Sequence, residues 1–205
     1  MLRTTAPLAL SLAMLGPTGP AAAQDAGTPR STTWQVDRSH SQVSFVVRHF
    51  FTPVRGTFDS VTVALEFDPD NPAAGSVEVR IPVASVNTRN ERRDNDLRSE
   101  NFFEAATHPD ITFRSSAVRA TGANTFAVAG TLTIKGVEKT VELPVTFLGR
   151  QEIPVRGGGT REVAGFEAVL TVDRGDFGVG TGDWVRTNVV GGEVKIEIAI
   201  EASRR

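Results

Sequence analysis

The sequence predicts an all-β protein, an antiparallel up-and-down barrel of eight or nine strands with one or two short helices. Three observations carry this. Apolar and polar residues alternate at period two along most of the chain, the spacing of half-buried strands. Turn signals rich in Gly, Pro, Asn and Asp separate the runs at hairpin spacing. One stretch, Asn90 to Ala106, breaks the alternation with Leu97, Phe102 and Phe103 at helix-like spacing among many charges.

Met1 to Ala23 reads as a secretory signal. Arg3 supplies the positive start, and Ala6 to Leu15 is an apolar run too short to span a bilayer. Gly16, Pro17, Gly19 and Pro20 break any helix, and Ala21-Ala22-Ala23 fits a cleavage pattern before Gln24. The expected location is therefore periplasmic or secreted. Residues 24–32 form a polar linker, and the folded domain is expected over residues 33–205.

The strands follow in order. Val43, Phe45, Val47 and His49 share a face, with Gln42, Ser44 and Arg48 opposite. Val61, Val63, Leu65 and Phe67 form the next row, in a strand expected to run from Arg55 to Phe67. Val77, Val79, Ile81 and Val83 oppose Glu78 and Arg80. Ile111 and Phe113 alternate with Thr112 and Arg114. Phe126, Val128, Gly130, Leu132 and Ile134 come next, then Val141, Leu143, Val145 and Phe147. Phe166, Ala168, Leu170 and Val172 precede the clearest case, Val194, Ile196, Ile198 and Ile200 against Lys195, Glu197 and Glu201. Turns are expected at Asp68 to Pro72, Thr121 to Asn124, Lys135-Gly136, Gly157 to Gly159 and Gly191-Gly192. Pro109 marks the end of the helical insertion, which is expected to pack on the sheet or across a barrel mouth.

A long antiparallel meander solves its edge problem by closing into a barrel or by splitting into two sheets, and long strands with few crossovers favour the barrel. An outer-membrane barrel would need an apolar exterior and aromatic girdles. Here the charges would have to crowd a narrow lumen. The chain also has no Tyr and two Trp with which to build a girdle. The apolar rows are expected to point inward, and no stable membrane insertion is expected. A barrel lined by Phe and β-branched residues can be a packed core or a deep apolar cavity; eight strands are just wide enough for either.

Composition excludes several functions. There is no Cys, hence no disulfide, thiol nucleophile or Cys-zinc site. A net charge of -2 lacks the basic excess of a nucleic-acid binder. Signature motifs of metalloproteases, serine hydrolases and phosphate-binding loops are missing. Arg174-Gly175-Asp176 spells an adhesion tripeptide at a length that chance explains. Asp37, His40, His49 and His108 have no recognised ligand spacing, and no metal is expected. His40 reads as a turn residue and His49 as the polar end of an inward row. Arg89, Arg92, Arg93 and Arg98 suit phosphate recognition. They are matched by Glu91, Asp94, Asp96 and Glu100, so a self-paired helix surface is the simpler reading.

An ordered set of short motifs resembles the YceI-like family of bacterial lipocalin-like, polyisoprenoid-binding proteins. The set begins with Asp37-Arg38-Ser39-His40-Ser41-Gln42-Val43-Ser44-Phe45 and His49. It continues with Gly56-Thr57-Phe58, Ser85-Val86-Asn87-Thr88, Glu91-Arg92-Arg93-Asp94 and Leu97 through Phe103. His108-Pro109, Phe113, Gly130 through Val137, Gly165-Phe166-Glu167-Ala168 and Arg174 through Gly178 complete it. His108 stands where an aromatic is common in that family.

The resemblance implies an extended eight-stranded antiparallel lipocalin-like barrel with a helix near the opening. It also implies an elongated apolar pocket for an isoprenoid or other long-chain lipid, and a periplasmic protein often tied to stress. On that basis the expected activity is non-enzymatic binding, sequestration or transport of a polyprenyl phosphate or quinone, with no cofactor beyond the lipid. The tail is expected between Phe45, Val47, Val79, Ile81, Phe102, Phe103, Phe113, Leu132, Leu143 and Phe166. The head group is expected near His49, Arg89, Arg93 or Arg98. The alternatives are a lipid-modifying enzyme with a histidine base, or a stress-protective protein whose cavity is incidental. The oligomeric state stays open between monomer and homodimer.

Overall fold

The computed structural model describes residues 31–180, 182, 184 and 189–205. The expected secretory signal and most of the expected linker lie outside these residues. The strands are β1 (Thr33–Val36), β2 (Gln42–His49), β3 (Thr52–Phe58), β4 (Thr62–Glu66), β5 (Ser76–Pro82), β6 (Val86–Asn87), β7 (Asp110–Ala120), β8 (Thr125–Ile134), β9 (Val137–Pro154), β10 (Thr160–Asp173) and β11 (Val190–Arg204). Helix α1 spans Glu91–Arg98.

The strands form a closed antiparallel ring, β1-β4-β5-β7-β8-β9-β10-β11, in which β11 returns to β1. β1 and β2 are two pieces of one wall strand. β11 pairs with β1 at Ala202 and Ser203 and with β2 from Val190 to Ala199. β3 and β4 are likewise collinear, pairing with β2 and β1 in turn. Counted this way the wall is an eight-stranded meander. The single long strand expected from Arg55 to Phe67 is corrected: it breaks at residues 59–61. There Asp59 turns away, its amide donating to the Ser85 carbonyl and its carboxylate accepting from Thr57 and Asn87. This break frees β3 to pair with β6.

Most expected turns are present. Lys135-Gly136 joins β8 to β9 with φ of 49° and 73°, the two left-handed residues that a tight hairpin requires. Gly157, Gly158 and Gly159 also sit at positive φ, between β9 and β10. Gly191-Gly192 is corrected from a turn to the irregular start of β11, where the register shifts against β2. The helical insertion is shorter than Asn90 to Ala106. Asn90 caps α1 by accepting from the Arg93 amide, and the chain then leaves the helix in turns from Ser99 to Thr107. Those turns carry Phe102 and Phe103 inward.

The two ends of the barrel differ. At one end Trp34, Phe67, Phe126, Phe147 and Phe166 form a ring cluster with centroids 5.1–6.1 Å apart, mostly edge to face. Beneath it Arg204, 5% exposed, lies 4.4 Å from the Trp34 ring and donates to Glu162, itself 7% exposed, at 2.7 Å. Arg204 also donates to the carbonyls of Ser31 and Phe67, Trp34 donates to the Phe67 carbonyl, and Arg150 approaches Glu162 at 3.3 Å. This is the base. The opposite end carries α1, the turns after it, the residues from Arg174 to Gly180 and the start of β11; we call it the helix end.

Removing one member of a buried ion pair leaves the other charge undercompensated, and here Glu162 would be left facing the partly exposed Arg150. Arg204→Ala is therefore expected to lose about 3–5 kcal/mol of unfolding free energy in urea. Replacing both members, Arg204→Met with Glu162→Leu, is expected to restore much of it. A single-variant loss below about 1 kcal/mol, the range of a surface pair, would show that the base closes without the pair.

Candidate functional site

The barrel is hollow, and the accessibility of its inward rows shows it. Val194, Ile196, Ile198 and Ile200 of β11 face the interior, yet each is only half-buried. The same is true of Val77 and Val79 on β5, Leu143 and Val145 on β9, and Leu170 and Val172 on β10. Interior cores pack at crystal density. Inward side chains that keep accessible surface face space instead of atoms.

That space is one cavity of about 240 Å³. Its lining runs from Phe67 and Phe166 at the base to Phe102, Arg174 and Val190 at the helix end. From Phe166 to Val172 along β10 it extends about 20 Å at the usual strand rise. Smaller apolar cavities than this stay dry and accept hydrocarbons. Two aromatic walls depend on glycines. Phe45 lies across from Gly56, and a Cβ there would collide with its ring. Phe113 covers Gly130 in the same way, at 2.6 Å. Glycine lets these rings lie flat against the wall and keeps the centre open.

All ten residues expected around a lipid tail border this cavity: Phe45, Val47, Val79, Ile81, Phe102, Phe103, Phe113, Leu132, Leu143 and Phe166. None of the four expected near a head group borders it. His49 ends β2, exposed, with its ring 4.9 Å from Phe50. Arg89 is exposed ahead of α1, at a φ of 61°. Arg93 donates to the Thr88 hydroxyl and carbonyl, and Arg98 to the carbonyls of Ala84 and Val86 and to Asn95. The self-pairing expected between these arginines and the acids of the insertion is corrected for Arg93 and Arg98, whose donors go to neutral acceptors. Asp94 is buried and accepts from the Thr88 amide and hydroxyl. The three arginines thus gather around α1, apart from His49.

The sequence reading passed over one residue on the cavity's border, Arg174. It is 8% exposed. All five of its N–H donors reach main-chain carbonyls: Gly191, Val179, Gly180, Trp184 and Val190. Burial pushes its pKa below the ordinary value, and the Asp173 charge partly opposes this. Arg174 ties the segment after β10 to the start of β11, so the Arg174-Gly175-Asp176 tripeptide cannot present its arginine to a receptor. The signal was available: the inward row Phe166, Ala168, Leu170, Val172, carried two residues further, arrives at Arg174.

Residues 34–202 match the YceI-like domain family. A relative from Azotobacter vinelandii, named UPF0312 protein, is 34% identical over 180 residues, 86% of this chain and 87% of its own. The structure of BcnA from Burkholderia cenocepacia superposes with a TM-score of 0.73 at 35% identity, over 82% of this chain and 99% of that one. A polyisoprenoid-binding domain from Saccharophagus degradans, implicated in plant cell wall breakdown, superposes with a TM-score of 0.63 at 18% identity, over 86% and 100% of the chains; it shares the fold. Among the described residues no helix is long and apolar enough to cross a membrane.

Outside the barrel, the motif that begins at Asp37 stitches the junction of β1 and β2. Asp37 accepts from the Ser39 amide, and its other oxygen lies 3.0 Å from the His40 ring. Ser41 accepts from the Glu201 amide and donates to its carbonyl, completing the ladder that the junction interrupts. The Asp37 hydrogen bond, then the charges of Asp37 and Glu201, raise the His40 pKa, and the same bond lowers that of Asp37. A raised histidine stabilises the fold below its unfolded value, about 6.5, and that contribution fades as pH rises through the folded value. A lowered carboxylate contributes above about 3.9 and fades as pH falls. The melting temperature is expected to decline modestly as pH rises from about 6.5 through the raised folded value, with the decline absent in His40→Ala. Equal slopes in the two proteins would show that the pair is energetically silent.

Proposed function

The chain belongs to the YceI-like domain family, and from that premise we propose that it is a non-enzymatic binding protein. Its cavity holds a long-chain isoprenoid lipid, of polyprenyl phosphate or quinone type, for sequestration or transport outside the cytoplasm. The observation that carries this reading is the half-buried state of the inward rows. Evolution of a stable core would fill such space; a ligand needs it empty. A fold neighbour is named for polyisoprenoid binding, which supports the ligand class proposed.

The energetics are adequate. Burying ten chain carbons at about 0.8 kcal/mol each supplies roughly 8 kcal/mol before the losses of association. Further carbons along the cavity offset those losses, and micromolar binding corresponds to about -8 kcal/mol. The base is filled by rings and sealed by Arg204, so the polar head belongs at the helix end. None of the described residues bordering the cavity is a histidine, which favours the binding reading over a histidine base. An incidental cavity would call for a solid core, and the half-buried rows speak against one.

Phe113→Asp places a charge in the apolar wall, and Val79→Phe fills part of the cavity. Both are expected to stay folded by circular dichroism. Titration with a fluorescent polyprenyl phosphate is expected to show binding to the wild type and at least a tenfold loss in each variant, about 1.4 kcal/mol or more. Unchanged affinity in two folded variants would overturn the cavity as the binding site.

A further inference from the structure

The hairpin between β2 and β3 ends in Phe50 and Phe51, which are 53% and 89% exposed. These are large apolar side chains placed side by side in solvent. Their backbone is held in place. Phe50 has a φ of 48°, a left-handed conformation that is rare for a bulky residue. The turn persists because the Phe50 amide donates to the Val189 carbonyl and the Thr52 hydroxyl donates to the His49 carbonyl. A strained turn that presents two rings outward is a specified feature of the chain.

Position and charge say what the tip meets. It lies at the helix end, since His49 pairs with Val190, whose carbonyl accepts from Arg174. From Gln42 to Phe58 there is no Asp or Glu, although the chain as a whole is acidic. Arg48, exposed, donates to the Phe51 carbonyl at the tip, and Arg55, also exposed, lies further down β3 opposite Val46. The acid nearest Arg55 is Glu197, at 3.9 Å, and its shorter bond is to Lys195 at 2.7 Å. Two Phe rings offer roughly 300–500 Å². A stable contact between two proteins needs about 1,000 Å² or more. The tip is too small and convex for that, and it has the make-up of an interfacial anchor: apolar rings with cations alongside, suited to an anionic lipid surface.

We infer that the Phe50–Phe51 tip docks the helix end of the barrel on an anionic phospholipid bilayer. The docking rests on the proposed carrier function for its purpose, because the sealed base leaves the helix end as the side from which a lipid would enter. Its physical basis is independent of any cargo.

The test is co-sedimentation with vesicles of phosphatidylcholine, with and without phosphatidylglycerol, at low and high salt. Phe50→Asn with Phe51→Ser keeps a residue that tolerates the left-handed turn and removes both rings. Wild type is expected to bind the anionic vesicles and release at high salt, and the double variant to bind about tenfold less or weaker. Arg48→Gln with Arg55→Gln is expected to lose only the preference for anionic lipid. Equal vesicle binding by the ring-deleted variant, or none by the wild type, overturns the docking. So does wild-type self-association that needs the rings and occurs without vesicle binding. Uptake of undecaprenyl phosphate from detergent, measured alongside, separates the two ideas. Retained uptake with no vesicle binding removes the docking alone, and ring-dependent vesicle binding with no uptake supports the docking while removing the carrier.

Discussion

The seam between β10 and β11 sets the interior. Its register runs through twelve residue pairs, from Glu162 opposite Arg204 to Asp173 opposite Glu193. The side-chain period of a strand is two, so a slip by one residue would turn every apolar row outward. The Glu162–Arg204 ion pair sits at the closed end of this seam. Two buried charges paired directly across this seam, and tied to Arg150 and to the Ser31 and Phe67 carbonyls around them, penalise a slipped register, whatever their net contribution to stability. The ring cluster on Trp34, the hollow above it and the contrast between the two ends all follow from a seam locked at one end.

From the base upward, the filling of the barrel changes with the size of its side chains. Five aromatic rings meet where the strands converge on Trp34 and Phe67. Higher up, Val, Leu and Ile make up most of the wall, with Phe45, Phe58, Phe102, Phe103 and Phe113 set among them, and the inward aliphatic chains keep accessible surface. Glycines opposite Phe45 and beside Phe113 hold the rings flat. The cavity is therefore a product of residue size at fixed positions, built into the same rows that make the barrel fold.

Much of this was legible in the sequence. Period two identified the rows on β2, β5 and β7 through β11, and every residue nominated for a lipid tail lies on the cavity's border. The misses have physical causes. Asp59 breaks the long strand through hydrogen bonds to Thr57, Asn87 and the Ser85 carbonyl, partners that are distant or ambiguous in a linear reading. β1 is four residues long, too short for a periodic signal. Arg93 and Arg98 carry the residue type for anion recognition, but their donors close the turn around α1. The charged residues that matter most, Glu162, Arg174 and Arg204, lie on extensions of apolar rows. A charge at an inward position reads as the end of a strand, whereas here it marks where the barrel is closed or clamped.

The central claim is that the hollow holds a chain-like lipid. It is tested most directly by native mass spectrometry of protein purified gently from the cells that make it, followed by solvent extraction of whatever is bound. The account predicts one long-chain species per protein chain, with masses spaced as a prenyl series. Protein that arrives empty and also refuses added prenyl lipids would contradict it.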